Sequence, residues 1–252
     1  MKKYLIGSLM AVAAVACTSV SDKTTLQGKF SGADVPEEIS IVIPDVIDTT
    51  VALKNAAFKI EIPVEKASLG HIMAGHARGS FISDGTALTV SLADGALEIK
   101  SAKPAVSLTE KLNSFDSEAQ AMVAEYRTGM AAIADSTGLS ADQIDSLQEE
   151  FYNTFFGKFK KLNNDVIDAN KDNILSLYAL QNVYSEMSDD TLEAVLSSID
   201  SNVVEKNDFA KAMLGGVTAR KNTAEGMKFT DFSVMQPDGK EAKLSDYVGN
   251  GK

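Results

Sequence analysis

The apolar residues of this 252-residue chain repeat with two different periods, and the change falls at Pro104. Before it, Ile39, Ile41 and Ile43, and then Phe58, Ile60 and Ile62, recur at every second position. After it, Leu108, Leu112, Phe115, Met122, Tyr126, Met130 and Ile133 recur at helical spacing, with Ala119 filling the gap. A period of two places one face of a strand on a core, and a period near 3.6 does the same for one stripe of a helix. The chain is therefore expected to be α+β: a β-rich module over residues 25–104, then a helical section over 105–222.

Within the first module the runs Leu26–Phe30, Ile39–Ile43, Thr49–Leu53, Phe58–Ile62, Leu69–Ala77, Ala87–Leu92 and Leu97–Ile99 read as short strands. Ser31-Gly32, Pro44-Asp45 and Lys54-Asn55-Ala56 separate the first of them, and Asp84-Gly85 and Asp94-Gly95 have hairpin-turn chemistry. Six or seven short strands at this spacing predict an antiparallel β-sandwich or partial barrel. His71 and His76, five residues apart in one predicted strand, point to opposite faces, so no metal site is expected.

In the helical section, Asp135–Leu139 interrupts the first stripe. Ser140 followed by Gln143 is a capping box that opens a second helix, with the stripe Ile144, Leu147, Phe151, Phe155, Phe159, Leu162 and Val166. Two helices of similar length joined by a short loop predict an antiparallel αα-hairpin. Shorter helices are expected over 173–187, after a Ser188 cap to Ile199, and from an Asn202 cap to Leu214, where Gly215-Gly216 interrupts; Arg220–Thr223 reads as a linker. Phe151, Phe155, Phe156 and Phe159 form the densest aromatic patch in the chain. They either pack the helix pair or line a surface for a peptide or partner chain. Asp142, Asp145, Glu149 and Glu150 read as a solvated face.

Charge and motifs exclude several functions. The 24 basic residues fall to 22 once Lys2 and Lys3 leave with an export signal, against 35 acidic ones, a net charge of −13. Nucleic acid is not an expected partner, because phosphate contact needs clustered Lys and Arg. No glycine-rich phosphate loop, nucleophile elbow or H-E-x-x-H is present, and no cofactor is implied. One cysteine cannot form a dithiol within the chain, so the sequence as it stands should not be a dithiol oxidoreductase.

Residues 1–16 read as a bacterial export signal: Lys2 and Lys3, then the apolar run Tyr4–Val15, too short for a normal membrane span. Ala14-Val15-Ala16-Cys17 looks like a lipobox, with Ala14 where Leu is usual. Lipidation of Cys17 would cap its sulfur and anchor the chain to the membrane, with residues 17–24 as lipidated cysteine and polar tether. The competing reading is an ordinary signal peptide with an incidental cysteine.

The segment from Ala224 on, within residues 223–252, carries Phe229, Asp231, Phe232, Asp238, Gly239, Leu244, Ser245, Asp246, Tyr247 and Gly249. These resemble the phrase F-x-D-F-x-x-x-x-x-D-G-K-x-x-x-L-S-D-Y-x-G that opens the thioredoxin-like domain of periplasmic oxidoreductases of the TlpA and AhpC/TSA type. Leu26, Gly28 and Phe30 are similar to the start of the β domain of unknown function that precedes such domains in Bacteroidetes lipoproteins. There the second motif carries a glycine where this chain has Ala56 or Ala57. The resemblance implies the front part of a longer oxidoreductase, truncated before its C-x-x-C site. The expected function is then a lipid-anchored, cell-envelope accessory region, on the periplasmic side or the surface of the outer membrane. The alternative is a non-enzymatic envelope lipoprotein that binds a peptide, glycan or partner protein.

Overall fold

A computed structural model describes residues 21–32, 35–93 and 95–248. The signal segment, Cys17 with its lipobox, Asp94, Gly249 and Asn250 lie outside the described residues. The class is α+β, and the chain divides into two compact units. One runs to Glu65 and resumes over Gly70–Ser107; the other holds Lys66–Leu69 and everything from Leu108 on.

The first unit is built from eight strands: β1 (Lys23–Lys29), β2 (Glu38–Ile43), β3 (Ile47–Ala52), β4 (Ala57–Pro63), β5 (Ser68–Ala74), β6 (Ala77–Ser83), β7 (Ala87–Ala93) and β8 (Ala96–Ser101). They form two four-stranded sheets, ordered β4-β1-β7-β8 and β3-β2-β5-β6, with no closed barrel. The alternating residues Leu26, Ile39, Ile41, Ile43, Ile62, Ile72, Leu88 and Val90 are all buried, and with Phe81 they join one core fed by both sheets. Gly28 is required where β1 runs between its neighbours. A Cβ there would come within 2.4 Å of the Val90 carbonyl oxygen and 2.7 Å of the Phe58 ring.

Five expectations change. The run Leu69–Ala77 is two strands, because Gly75 at φ 61° turns the chain between β5 and β6. His71 and His76 therefore do not share a strand: His71 lies on β5, within 3.2 Å of the Ser80 hydroxyl, and His76 sits in the turn. Asp84-Gly85 is not a hairpin; it carries the chain from one sheet to the other, with the Asp84 carboxylate accepting from the Thr86 N–H at 3.0 Å. The sandwich is also not purely antiparallel, since β1 pairs parallel with β7. Among the described residues, regular structure begins at Lys23, inside the stretch read as tether.

Asn55 and Ala56 are both left-handed, at φ 54° and 60°, in a turn closed by reciprocal bonds between Lys54 and Ala57 at 2.9 and 3.1 Å. Two successive positive φ values make a turn in which glycine is favoured at the second position. Ala56 has a Cβ that crowds this conformation.

The second unit is helical: α1 (Leu108–Ala134), α2 (Ala141–Ala169), α3 (Leu175–Leu180), α4 (Asp189–Ser198), α5 (Ser201–Glu205) and α6 (Asp208–Asn222). The Ser140 capping box forms as read: the Ser140 N–H donates to Gln143 Oε1 at 2.9 Å, and the Gln143 N–H to Ser140 Oγ at 3.3 Å. α1 and α2 make an antiparallel hairpin. Near one end Lys111 Nζ donates to Asn170 Oδ1 at 3.2 Å, and near the other the Phe151 ring lies on Gly129. A core of Phe115, Ile167, Leu177, Leu180, Val183, Leu196, Val217 and their neighbours sits at the base of this hairpin.

Of the later helices, the one capped by Ser188 forms as read, ending at its C-cap Ile199, and the others depart from expectation. The stretch 173–187 is a short α3 and a 3₁₀ turn at Tyr184–Glu186, separated where the Asn182 amide donates to Asn163 Oδ1 at 2.9 Å. Asp200 and Asn207, not Asn202, cap two separate helices. Gly215-Gly216 lies inside α6, and the supposed linker Arg220–Asn222 completes that helix. The guanidinium of Arg220 donates to both Asp189 oxygens, and Lys221 meets Asp190 and Glu193. These pairs tie the cationic end of α6 to the acidic start of α4, in the sense both helix dipoles favour.

Two predictions follow from these contacts. Ala56→Gly should raise stability by about 0.5–1 kcal/mol, read as a higher thermal midpoint, because the left-handed strain outweighs the glycine's extra unfolded-state entropy. Asp116 is half-buried under α3; burial raises its pKa, and the Tyr178 hydroxyl that donates to it at 3.0 Å offsets only part of that rise. A raised carboxyl pKa means the folded state loses stability as pH rises through it. Asp116→Asn should therefore stabilise the fold at neutral pH, and the gain should vanish in acid, where Asp116 is protonated; denaturation midpoints across that range test both statements.

Candidate functional site

The aromatic patch lies along the hairpin, above the part that is buried. Among the described residues, none of α1 after Phe115 and none of α2 before Asn163 is buried. Ala119, Met122, Tyr126, Gly129 and Ile133 of α1 face α2 at alternating steps of four and three residues, the spacing of a two-helix seam. Phe151 and Phe155 fill that seam: Tyr126 stacks on Phe155 with ring centres 4.4 Å apart and on Phe151 at 5.9 Å. Phe159 continues the stack from Phe155 at 5.7 Å.

Phe156 does not join this seam. Its ring stacks on Tyr152 at 5.9 Å, on the next face of α2, and Tyr152 is 45% exposed. The four phenylalanines thus divide: three pack the helix pair, and the half-buried Phe156 stacks on Tyr152, whose ring meets the edge of Tyr126 on α1 at 6.3 Å. Tyr126 was named as a member of the first helical stripe but Tyr152 was not; the four-residue step from Tyr152 to Phe156 was the available signal. Leu147, placed in the stripe by its sequence position, is 41% exposed, and Gln148 takes the half-buried place. Asp142, Asp145, Glu149 and Glu150 are exposed.

Among the described residues, a shallow concavity of about 540 Å³ lies on α2 at Ser146, Glu149, Glu150, Asn153 and Thr154, and two others border the hairpin. One of about 40 Å³ lies on the seam between Met122, Tyr126, Phe151 and Phe155, and is about the size of a single water. The other, about 270 Å³, lies between α2 and α4 and is lined by Lys160, Asn164, Ile167, Glu186 and Met187 among others. Its mixed lining converges no nucleophile and base. Among the described residues no group of three His, Cys, Asp or Glu could hold a metal, and no helix is long and apolar enough to cross a membrane.

Residues 224–248 form a small hydrogen-bonded substructure of the second unit. β9 (Ser233–Met235) and β10 (Glu241–Lys243) pair antiparallel around the Gln236–Lys240 turn, where Gly239 has φ 81°. The Asp231 carboxylate closes the substructure: it accepts from the Ser245 N–H at 2.8 Å and from the Ser245 hydroxyl at 2.7 Å. Gln236 Nε2 donates to the Tyr247 hydroxyl at 2.8 Å, and the Asp246 carboxylate accepts from the Lys243 N–H at 2.9 Å. Only Ala242 is buried here, while Phe229, Phe232, Val234, Met235 and Tyr247 are exposed. The segment is ordered by hydrogen bonds around an acidic residue, and its apolar side chains lie open.

Comparison with known protein families, with curated proteins and with solved structures finds no match for this chain.

The Ser245 hydroxyl and N–H hold the Asp231 carboxyl below the usual carboxylate range. A depressed carboxyl pKa supplies stability above the unfolded value and loses it as pH falls through the folded one. Amide exchange at Ser245 should therefore be slow at neutral pH relative to its intrinsic rate and approach that rate in acid. Asp231→Ala should give the fast limit at every pH. Protection that survives this substitution would show that another group holds the turn.

Proposed function

We propose that this chain is the lipid-anchored, cell-envelope accessory region of a thioredoxin-like thiol–disulfide oxidoreductase. The observation that carries the reading is the segment Phe229–Tyr247. Asp231, Asp238, Gly239, Ser245 and Asp246 of the thioredoxin-like opening phrase each have a task there. They accept, turn and cap to fix a strand pair and a one-turn helix. The open Phe229, Phe232 and Val234 support the same reading, since an exposed apolar cluster of this kind is surface suited to cover by further structure.

In such an enzyme two thiols in C-x-x-C exchange with client disulfides, and the first attacks as a low-pKa thiolate. The single cysteine here, Cys17, has the separate role of lipid attachment. The sandwich and the helical unit would position the redox domain or select its clients. A second reading, an envelope lipoprotein that binds a peptide, glycan or partner without chemistry, is favoured by the exposed Tyr152 stacked on the half-buried Phe156.

Two measurements test the proposal. Cys17→Ser should abolish fatty-acid labelling and release the protein from the membrane fraction; label retained in the variant would remove the anchor from the proposal. An antibody to residues 105–222 should detect, in the native cells, a protein larger than 26.8 kDa by roughly ten kilodaltons or more, the size of an added domain. A band at the size of the lipidated 252-residue chain would sink the oxidoreductase reading and leave the second.

A further inference from the structure

The outward face of α2 has a charge order that matches its own reverse. Helical geometry places Asp142, Asp145, Glu149, Tyr152, Phe156 and Lys160 on one stripe, about a quarter-turn from the seam that faces α1. The tip half of the stripe is acidic and its lower end is cationic. The two aromatic rings lie between them, stacked on each other, with Tyr152 exposed and Phe156 half-buried. Among the described residues, Asp142, Asp145, Glu149 and Lys160 form no ion pair within the chain. Elsewhere the helices do pair their charges, as in Lys161–Asp165 and Arg220–Asp189. The stripe thus combines a partly exposed aromatic pair with unpaired charges of both signs, separated along the helix.

We infer that this stripe is a self-association surface, on which α2 pairs antiparallel with α2 of a second copy of this chain. A two-fold axis near Thr154 sets Tyr152 against Phe156 of the second copy, and Phe156 against its Tyr152. The same axis sets Glu149 against Lys160 of the other chain, twice over. A two-fold interface is self-complementary, so one sequence must supply both sides of each contact. The order acid, aromatic, aromatic, cation meets that requirement in the antiparallel sense only. A parallel pairing would oppose Glu149 to Glu149 and Lys160 to Lys160, which like-charge repulsion disfavours. The rings supply the desolvated centre and the two ion pairs supply orientation. The overlap spans about 12 residues, roughly 18 Å of helix. That is smaller than a standard stable interface, so the dimer is expected to be weak and reversible.

The test is sedimentation equilibrium of the full chain in detergent, over a concentration series at low and high salt. The wild-type chain should dimerise, more weakly at high salt. E149K and K160E should each weaken the dimer at least about tenfold, since each opposes like charges at both ends of the interface. The double variant E149K/K160E restores the complementarity and should return to within about threefold of wild type. E149K carries the test by itself if K160E disturbs the cleft that Lys160 lines. A chain that stays monomeric throughout would overturn the inference, as would an E149K dimer of wild-type strength or a double variant no better than E149K.

Discussion

At the base of the α1/α2 hairpin the Phe115 ring meets the edge of Tyr178, with ring centres 5.9 Å apart, and the Tyr178 hydroxyl donates to Asp116 at 3.0 Å. The rest of the helical unit depends on this clamp. α1 has 27 residues, a rod of about 40 Å, yet its buried side chains all lie in its first three turns. Phe115 and Ile167 bury against the later helices, each contributing roughly 1.5–3 kcal/mol. The amides of Asn163, Asn170, Asn173 and Asn182 then satisfy one another and nearby carbonyls at the same level. Beyond it no residue of either helix is buried among the described residues, and the two helices pack on each other. A two-helix seam can bury at most one stripe per helix, so the residues on every other face of the hairpin meet water.

That limit accounts for where the aromatic residues stand. Phe151 sits over Gly129, so close that a Cβ on that glycine would meet its ring at 2.2 Å. This lets α1 and α2 approach despite the bulk of Tyr126, Phe151 and Phe155. Phe156 is one residue further round the helix and is left outside. The division between the rings in the seam and the ring outside it is thus a matter of 100° on a helix.

Much of this was legible in the sequence because it is local. The capping boxes and caps at Ser140 and Ser188, the hairpin's two stripes and the turn at Asn55-Ala56 each depend on residues a few positions apart. What was not legible depends on partners far along the chain. A turn such as Asp84-Gly85 does not state whether the next strand joins the same sheet or crosses to the other. The parallel pairing of β1 with β7 is set across some sixty residues. β6 was hidden because Arg78, Gly79 and Ser80 break the apolar alternation before Phe81. Gly215-Gly216 reads as a stop by propensity, yet α6 continues because Val217 is buried and Arg220 and Lys221 find Asp189, Asp190 and Glu193 on α4. Of the site, Phe151 and Phe155 were found as an aromatic run, but the face each would take required knowing where α1 lies.

The segment from Phe229 to Tyr247 is organised in the opposite way to the two cores. The sandwich and the helical base order themselves by burial and then satisfy the polar groups inside. Here one residue, Ala242, is buried, and the order comes from Asp231, Asp238 and Asp246 accepting from backbone and hydroxyl donors. Hydrogen bonds exposed to water contribute little net stability, roughly 0.5–1.5 kcal/mol each at most. Charge-assisted bonds to a carboxylate are stronger and directional, so they can define a conformation that lacks a core. A segment held this way has its apolar side chains free to face whatever covers them. The carboxylates fix the positions of Phe229, Phe232 and Val234 before any such cover forms, and so reduce the ordering entropy that a later apolar contact would otherwise have to overcome.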